Sequence, residues 1–182
     1  MSEVITVKNV RLSFAQIFTP KAYMEGQKAK YSCNLLLDKD THGDQIAKLK
    51  KAVKAKADEA FNGKPPKGLK TCLGDGEEKA YEGYDNAVFI SCSTLKRPQV
   101  LDRDKTPLVE EDGRPYSGCY VNAAISFWAQ DNQFGKRINC NLIGLQFVKD
   151  GDSFGSGAPS VDKLFDDISD EQDADAADDD FL

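Results

Sequence analysis

The chain has 182 residues, with 24 lysines and arginines against 30 acids and a formal net charge of −6. Its single histidine, His42, largely excludes metal sites built on imidazole pairs and catalytic triads built on histidine. No apolar run is long enough to span a bilayer, and residues 1–8 lack the apolar segment of a signal peptide, so we expect a soluble, intracellular protein without a membrane partner.

Two strands are predicted at the start of the chain. Residues 4–14 are rich in β-branched and apolar side chains, and residues 28–38 alternate between apolar and polar side chains. This alternation is typical of strands with one wet face. Phe14 and Tyr31 fall on the apolar faces, so we expect both to lie in the core.

The period changes to that of a helix over residues 42–62, because apolar side chains recur there every three or four residues. Lysines occupy much of the remaining surface, and we interpret them as a solvated face rather than as phosphate contacts. A long polar connection follows over residues 62–85 and has Tyr81 and Tyr84 at its end. Connections of this length are often binding loops or are locally disordered.

The second half of the chain reads as further strands. Residues 86–95 predict a third strand, and residues 96–113 suggest a hairpin or paired extension with Gly113 at the turn. The longest run covers residues 116–130. In it, apolar side chains at every second position from Cys119 to Phe127 alternate with side chains that are mostly polar or aromatic. Residues 136–148 predict a last strand that pairs back after a turn.

Together these elements predict an all-β-dominated fold, a small antiparallel β-barrel with one inserted α-helix and long loops. No glycine-rich turn follows a strand and opens a helix, which argues against a dinucleotide-binding α/β sheet. Five widely spaced cysteines without a CxxC pair predict reduced, buried thiols rather than disulfides or a zinc site.

The sequence contains none of the motifs of hydrolases, zinc proteases or kinases, so we expect a protein that is not an enzyme and has no cofactor or metal. A magnesium-dependent nuclease built from scattered acids stays a minor alternative. Bases next to aromatic residues suit single-stranded nucleic acid better, because cations neutralise phosphates and rings stack on bases. The candidate DNA contacts are Arg11, Tyr23, Lys28, Lys30, Lys96, Arg97, Arg114, Tyr116, Tyr120, Trp128, Phe134, Lys136 and Arg137.

Each candidate also has an ordinary structural explanation. Single lysines and arginines are usually surface charges, and Tyr120 and Trp128 fit a buried position about as well as a contact position.

Residues 152–182 differ sharply from the rest of the chain. They hold eleven acids and one base, a net charge of −10, which leaves residues 1–151 with +4. A segment so charged and so poor in apolar groups cannot bury enough surface to offset its ordering entropy, so we expect a disordered acidic tail. Composition leaves open whether this tail serves only solubility or binds partners.

Several short runs resemble a phage family of OB-fold single-stranded DNA-binding proteins. These runs are residues 10–14, 30–32, 97–98, 116–122 and 144–146, of which residues 118–122 (GCYVN) are the most specific. The resemblance implies an OB-fold over residues 1–151 that coats single-stranded DNA without strong sequence preference. It also implies a role in phage DNA replication or recombination in the cytoplasm of an infected bacterial host.

The end of the chain resembles the acidic tails of bacterial and phage single-stranded DNA-binding proteins. This implies that the tail competes with DNA and recruits replication or recombination proteins through Asp178, Asp179, Asp180, Phe181 and Leu182. The chain departs from the bacterial pattern because it ends in Phe-Leu without a proline. A non-enzymatic structural or protein-interaction module with a solubilising tail is the alternative. The sequence leaves open whether the protein is a homo-oligomer.

Overall fold

A computed structural model describes residues 3–22, 24–154, 165 and 167–169. In this part of the chain the strands are β1 (Ile5–Lys21), β2 (Lys30–Asp38), β3 (Lys70–Thr71), β4 (Leu73–Asp75), β5 (Ala87–Thr94), β6 (Gln99–Leu101), β7 (Tyr120–Asn132) and β8 (Gly135–Lys149). The helix α1 (Gly43–Ala60) follows β2. Within these ranges no helix is both long enough and apolar enough to cross a membrane.

Five of the strands close into a barrel. β1 pairs antiparallel with β2 and β7, β2 pairs with β5, and β7 pairs with β8 along its whole length. The circuit is completed where β5 runs parallel to β8, with Cys92 opposite Cys140. This order, β1-β2-β5-β8-β7-β1, is that of the OB-fold. The predicted all-β barrel with one inserted helix is therefore confirmed.

The barrel interior is filled by the inward side chains of every long strand, as the period of two requires. Val121, Ala123 and Ile125 of β7 are each at most 1% exposed. The five cysteines are free and buried, as predicted. α1 packs on β7, β2 and β8 through Ile46, Leu49, Val53 and Ala57, and its lysines 48, 50, 51 and 54 are exposed.

Three short strands pair with the barrel strands β5 and β8. β3 pairs parallel with the start of β8, and β4 pairs with β5. β6 pairs parallel with β8 at Gly144–Gln146. The chain then turns back, and Pro107 forms an antiparallel bridge with Leu101. The predicted paired extension is present, but the chain does not reverse at Gly113 as expected. The chain reverses at Asp102, whose carbonyl accepts a hydrogen bond from Lys105 N (3.0 Å), and Gly113 instead follows a short 3-10 turn.

Candidate nucleic-acid interface

A cleft of about 710 Å³ runs across the outer face of β2 and β5 toward the β7–β8 hairpin. Because successive side chains of a strand point to opposite faces, the alternate residues Lys30, Ser32 and Asn34 of β2 turn outward into this cleft. Ser91 and Ser93 of β5 do the same. This face is where OB-folds bind oligonucleotides. We call this cleft the groove.

Two aromatic residues stand at the hairpin end of the groove. Trp128 of β7 is 44% exposed, and Phe134 at the hairpin tip is 80% exposed. The tip is fixed because Phe134 N donates to Asn132 Oδ1 at 2.9 Å. Trp128 therefore does not take the buried position that its sequence equally allowed. Both rings are available for stacking.

A second aromatic group lies at the other end of the groove. Phe14 meets Tyr81 with ring centroids 5.0 Å apart, and Tyr84 lies 5.3 Å from Tyr81 and 5.8 Å from Phe89. The expectation that Phe14 lies in the core is wrong, since its side chain is 51% exposed. The pairing of β1 with β2 shifts register after Ser13, and Phe14 has φ 48°, so the pleat is broken there and the ring turns outward. Tyr31, the other residue expected in the core, is half-buried.

Buried hydrogen bonds hold this end in place. Tyr84 is fully buried, its hydroxyl donates to Ser13 Oγ at 2.9 Å, and it accepts from Asn34 Nδ2 at 2.8 Å. Burial raises the pKa of the Tyr84 hydroxyl. The Phe89 ring packs directly on Gly74, where a Cβ would lie 2.3 Å from the ring. Tyr84 thus ties the connection before β5 to β1 and β2.

The charge of the groove is entirely positive. Lys30, Lys79 and Arg137 line it, and none of the described residues in its lining carries a carboxylate. Lys28 and Lys30 also line an adjoining cleft that Phe134 shares. In a chain of net charge −6 this segregation creates a local attraction for anions.

The structure brings Arg11, Tyr116 and Tyr120 together, but outside the groove lining. Arg11 donates from Nε to Gly118 O (3.0 Å) and from Nη2 to Asp152 O (2.7 Å), and its guanidinium lies 4.2 Å from the centre of the Phe154 ring. Tyr116 Oη donates to Asp150 Oδ1 at 2.7 Å. These contacts bind residues 150–154 to the barrel, and we call this the tail seat.

The remaining candidate DNA contacts that the structure describes lie neither in the groove lining nor in the tail seat. Arg114 pairs with Asp102 at 2.6 Å, which lowers the pKa of that carboxyl. Lys96 and Arg97 are exposed beyond β5, and Lys136 lies over the ring of Phe61 at 5.6 Å. Tyr23 and residues 178–182 lie outside the described part of the chain. All of these contacts stay predictions.

The groove is completed by four residues that are not among the DNA contacts predicted from the sequence, namely Phe14, Lys79, Tyr81 and Phe89. Only the position of Tyr81 at the end of a long connection gave a signal. In the described part of the chain no group of histidine, cysteine or acidic side chains could hold a metal ion.

A closed OB barrel with a cationic groove and exposed rings at both ends defines the class of single-stranded nucleic-acid-binding proteins. The chain belongs to the family described as Enterobacter phage Enc34, ssDNA-binding protein, whose family model matches residues 2–181. This family is a non-enzymatic class, and the chain is a phage-type single-stranded DNA-binding protein.

Two similar proteins support this assignment, and a third shares only the fold. The chain is 41% identical over 176 residues to protein p50 of Acyrthosiphon pisum secondary endosymbiont phage 1, covering 91% of this chain and 94% of that protein. It is 30% identical to the single-stranded DNA-binding protein from bacteriophage Enc34 in complex with ssDNA, with a TM-score of 0.78 and coverage of 84% and 89%. It shares the fold alone with gp2.5 of bacteriophage T7, at 15% identity, a TM-score of 0.54 and coverage of 96% and 97%.

Proposed function

We propose that the protein coats single-stranded DNA through the groove, without strong sequence preference, during phage DNA replication or recombination in the cytoplasm of the host bacterium. The observation that carries this proposal is a groove with three cations, exposed rings at both ends and no carboxylate among the described residues of its lining. Its Enc34 relative has been solved with ssDNA.

The residue types of the groove favour binding that tolerates any sequence. Trp128, Phe134 and Phe14 offer π-faces, on which every base can stack for about 1–3 kcal/mol. Lys30 and Arg137 line the groove and supply positive charge for phosphates, which are the same at every nucleotide. The remaining polar lining consists mostly of short serine and asparagine side chains.

A titration with oligo-dT over a salt series tests the proposal. We expect log affinity to fall linearly with log salt, by about 0.7 per phosphate contacted. The double variant Lys30→Gln/Arg137→Gln should lower this slope by about 1.4, whereas Lys51→Gln/Lys54→Gln on the exposed face of α1 removes the same charge and should leave it unchanged. Absence of binding at 50 mM salt would instead favour the non-enzymatic interaction module.

We also propose that residues 152–182 act as an acidic tail that competes with DNA and recruits replication or recombination proteins through residues 178–182. The net charge of this segment, −10, is opposite to that of the groove. The last described residue of the tail seat is Phe154, whose ring touches Gly83, between Tyr81 and Tyr84. The tail therefore starts beside the Phe14–Tyr81 end of the groove, and 28 further residues reach about 30 Å as a random coil.

Removal of the tail should be made after Phe154, because Asp152 and Phe154 are bound to the barrel. Chain 1–154 should bind oligo-dT more tightly than the full chain, most visibly at low salt, where screening is weakest. Unchanged or weaker affinity would refute competition. Removing only Phe181 and Leu182 tests partner recruitment separately, since it leaves every acidic side chain in place.

A further inference from the structure

A basic connection joins α1 to β3 and lies outside the groove lining. Residues 61–70 carry Lys64, Lys67 and Lys70 and contain no acid. All three lysines are exposed, and none forms an ion pair with another residue that the structure describes. Three unneutralised cations within seven residues form a local site for a polyanion.

The backbone of this connection is fixed by its own hydrogen bonds. Gly63 N donates to Asp58 O at 2.7 Å, Lys64 N to Phe61 O at 2.9 Å, and Leu69 N to Pro66 O at 3.2 Å. Pro65 and Pro66 restrict it further. The lysines are therefore held on an ordered segment, so binding an anion there requires little additional ordering of the backbone.

The connection continues directly from Arg137, one of the cations that line the groove. Lys70 is the register partner of Arg137 in the parallel pairing of β3 with β8, and Arg137 lines the groove. Two residues after Lys70, Cys72 N donates to Ile138 O at 2.9 Å, and Cys72 also lines the groove. At the other end of the connection, Lys136 lies over the ring of Phe61. Positive charge is thus continuous from the groove onto the connection.

We propose that a bound DNA strand leaves the groove past Arg137 and runs across Lys70, Lys67 and Lys64. This inference rests on the proposed function of the groove. The connection offers no exposed ring, because its one aromatic residue, Phe61, is half-buried beneath Lys136. The strand is therefore held there by its phosphates alone, whereas bases are stacked in the groove.

The salt dependence of DNA binding should depend on the length of the oligonucleotide. OB-folds bind about 4–16 nucleotides. An oligo-dT of about 6 nucleotides should fill the groove only, and one of about 25 should also reach the connection. The salt dependence of binding should then be steeper for the long oligonucleotide, because more phosphates are neutralised.

The test uses the full chain and two triple variants that lose the same charge. Lys64→Gln/Lys67→Gln/Lys70→Gln changes the connection, and Lys48→Gln/Lys51→Gln/Lys54→Gln changes the exposed face of α1. On the long oligonucleotide we expect the connection variant to lower the salt slope by about 2, at about 0.7 per phosphate, and the α1 variant to leave it unchanged. On the short oligonucleotide both variants should match the wild-type protein.

Several results would overturn the proposed path of DNA across the connection. Equal slope changes in the two triple variants would mean that only overall charge matters. A loss on both lengths that disappears when Asp178, Asp179 and Asp180 are changed to Asn would assign the lysines to the acidic tail instead. Failure of the wild-type protein to bind either oligonucleotide would overturn the proposed function itself, together with this path.

Discussion

The ring of Phe14 meets the ring of Tyr81 edge-on, with centroids 5.0 Å apart and an interplanar angle of 77°. The pair joins the bulge of β1 to the connection before β5, which lie far apart in the sequence. A non-glycine residue at φ 48° is uncommon, and such strain persists only where the surrounding structure over-determines it. Here the strain places a large apolar ring 51% exposed at the end of the groove.

Replacing Phe14 should therefore weaken DNA binding without substantially lowering the stability of the fold. Phe14→Gly should weaken oligo-dT binding by about 1–3 kcal/mol, the value of one stacked base. It should not lower the melting temperature substantially, because glycine adopts a positive φ without strain. Phe14→Tyr keeps the ring and should retain affinity. A variant that melts much earlier but binds normally would show that Phe14 serves packing alone.

Trp128 offers a direct optical test, because it is the only tryptophan in the chain. If a base stacks on its exposed face, oligo-dT should quench its fluorescence in proportion to occupancy. Trp128→Ala should weaken binding by about 1–3 kcal/mol, and Trp128→Phe by less. Val109→Ala removes an exposed apolar group outside the groove lining and serves as the control. Unchanged fluorescence at saturating DNA would exclude stacking on Trp128.

The barrel could be predicted because strands and helices each give the sequence a characteristic spacing of apolar residues. The alternation of Cys119, Val121 and Ala123 predicted the buried face of β7 and placed Trp128 on the opposite face. The helical spacing likewise located α1 and its lysines. These inferences need only residues that are close together in the sequence.

The sequence-based predictions fail where contacts between residues far apart in the chain determine the position of a side chain. Alternation assumes an unbroken pleat, but the register of β1 against β2 shifts after Ser13 and turns Phe14 outward. Arg11 does sit on the wet side of its strand, yet the carbonyls of Gly118 and Asp152, 107 and 141 residues away, take its hydrogen bonds. Neither partner can be read from the residues around Arg11.

Arg11 allows the sequence-based prediction of a DNA contact to be tested against its observed role in the tail seat. Arg11→Ala should lower the free energy of unfolding by about 1–3 kcal/mol, because two charge-assisted hydrogen bonds are lost. Arg11→Lys should recover little, since an ammonium cannot reproduce the two-donor fork. Thermal or urea denaturation measures both changes.

The salt slope of DNA binding provides the matching control. Arg11→Ala should leave it unchanged, whereas Lys30→Gln in the groove should lower it by about 0.7. A drop of about 0.7 for Arg11→Ala with unchanged stability would show instead that Arg11 contacts a phosphate.

The thiol of Cys119 should make the protein less stable at alkaline pH. Burial raises the pKa of this thiol to about 11, whereas the unfolded thiol titrates near its ordinary value of 9. Below pH 9 both states are protonated, so the thiol causes no pH dependence there. Between pH 9 and 11 only the unfolded state loses its proton, so stability falls as pH rises, by up to about 2.7 kcal/mol in total.

Urea denaturation of the wild-type protein and of Cys119→Ala and Cys119→Ser across pH 7–11 measures this effect. Neither substituted side chain ionises, so both variants should lose less stability than the wild-type protein between pH 9 and 11. Their stabilities at pH 7 should differ from each other, because alanine removes the acceptor that Tyr116 N reaches at 3.4 Å and serine retains one. Stability curves of wild type and variants that stay parallel over the whole range would mean that the Cys119 thiol ionises equally in both states.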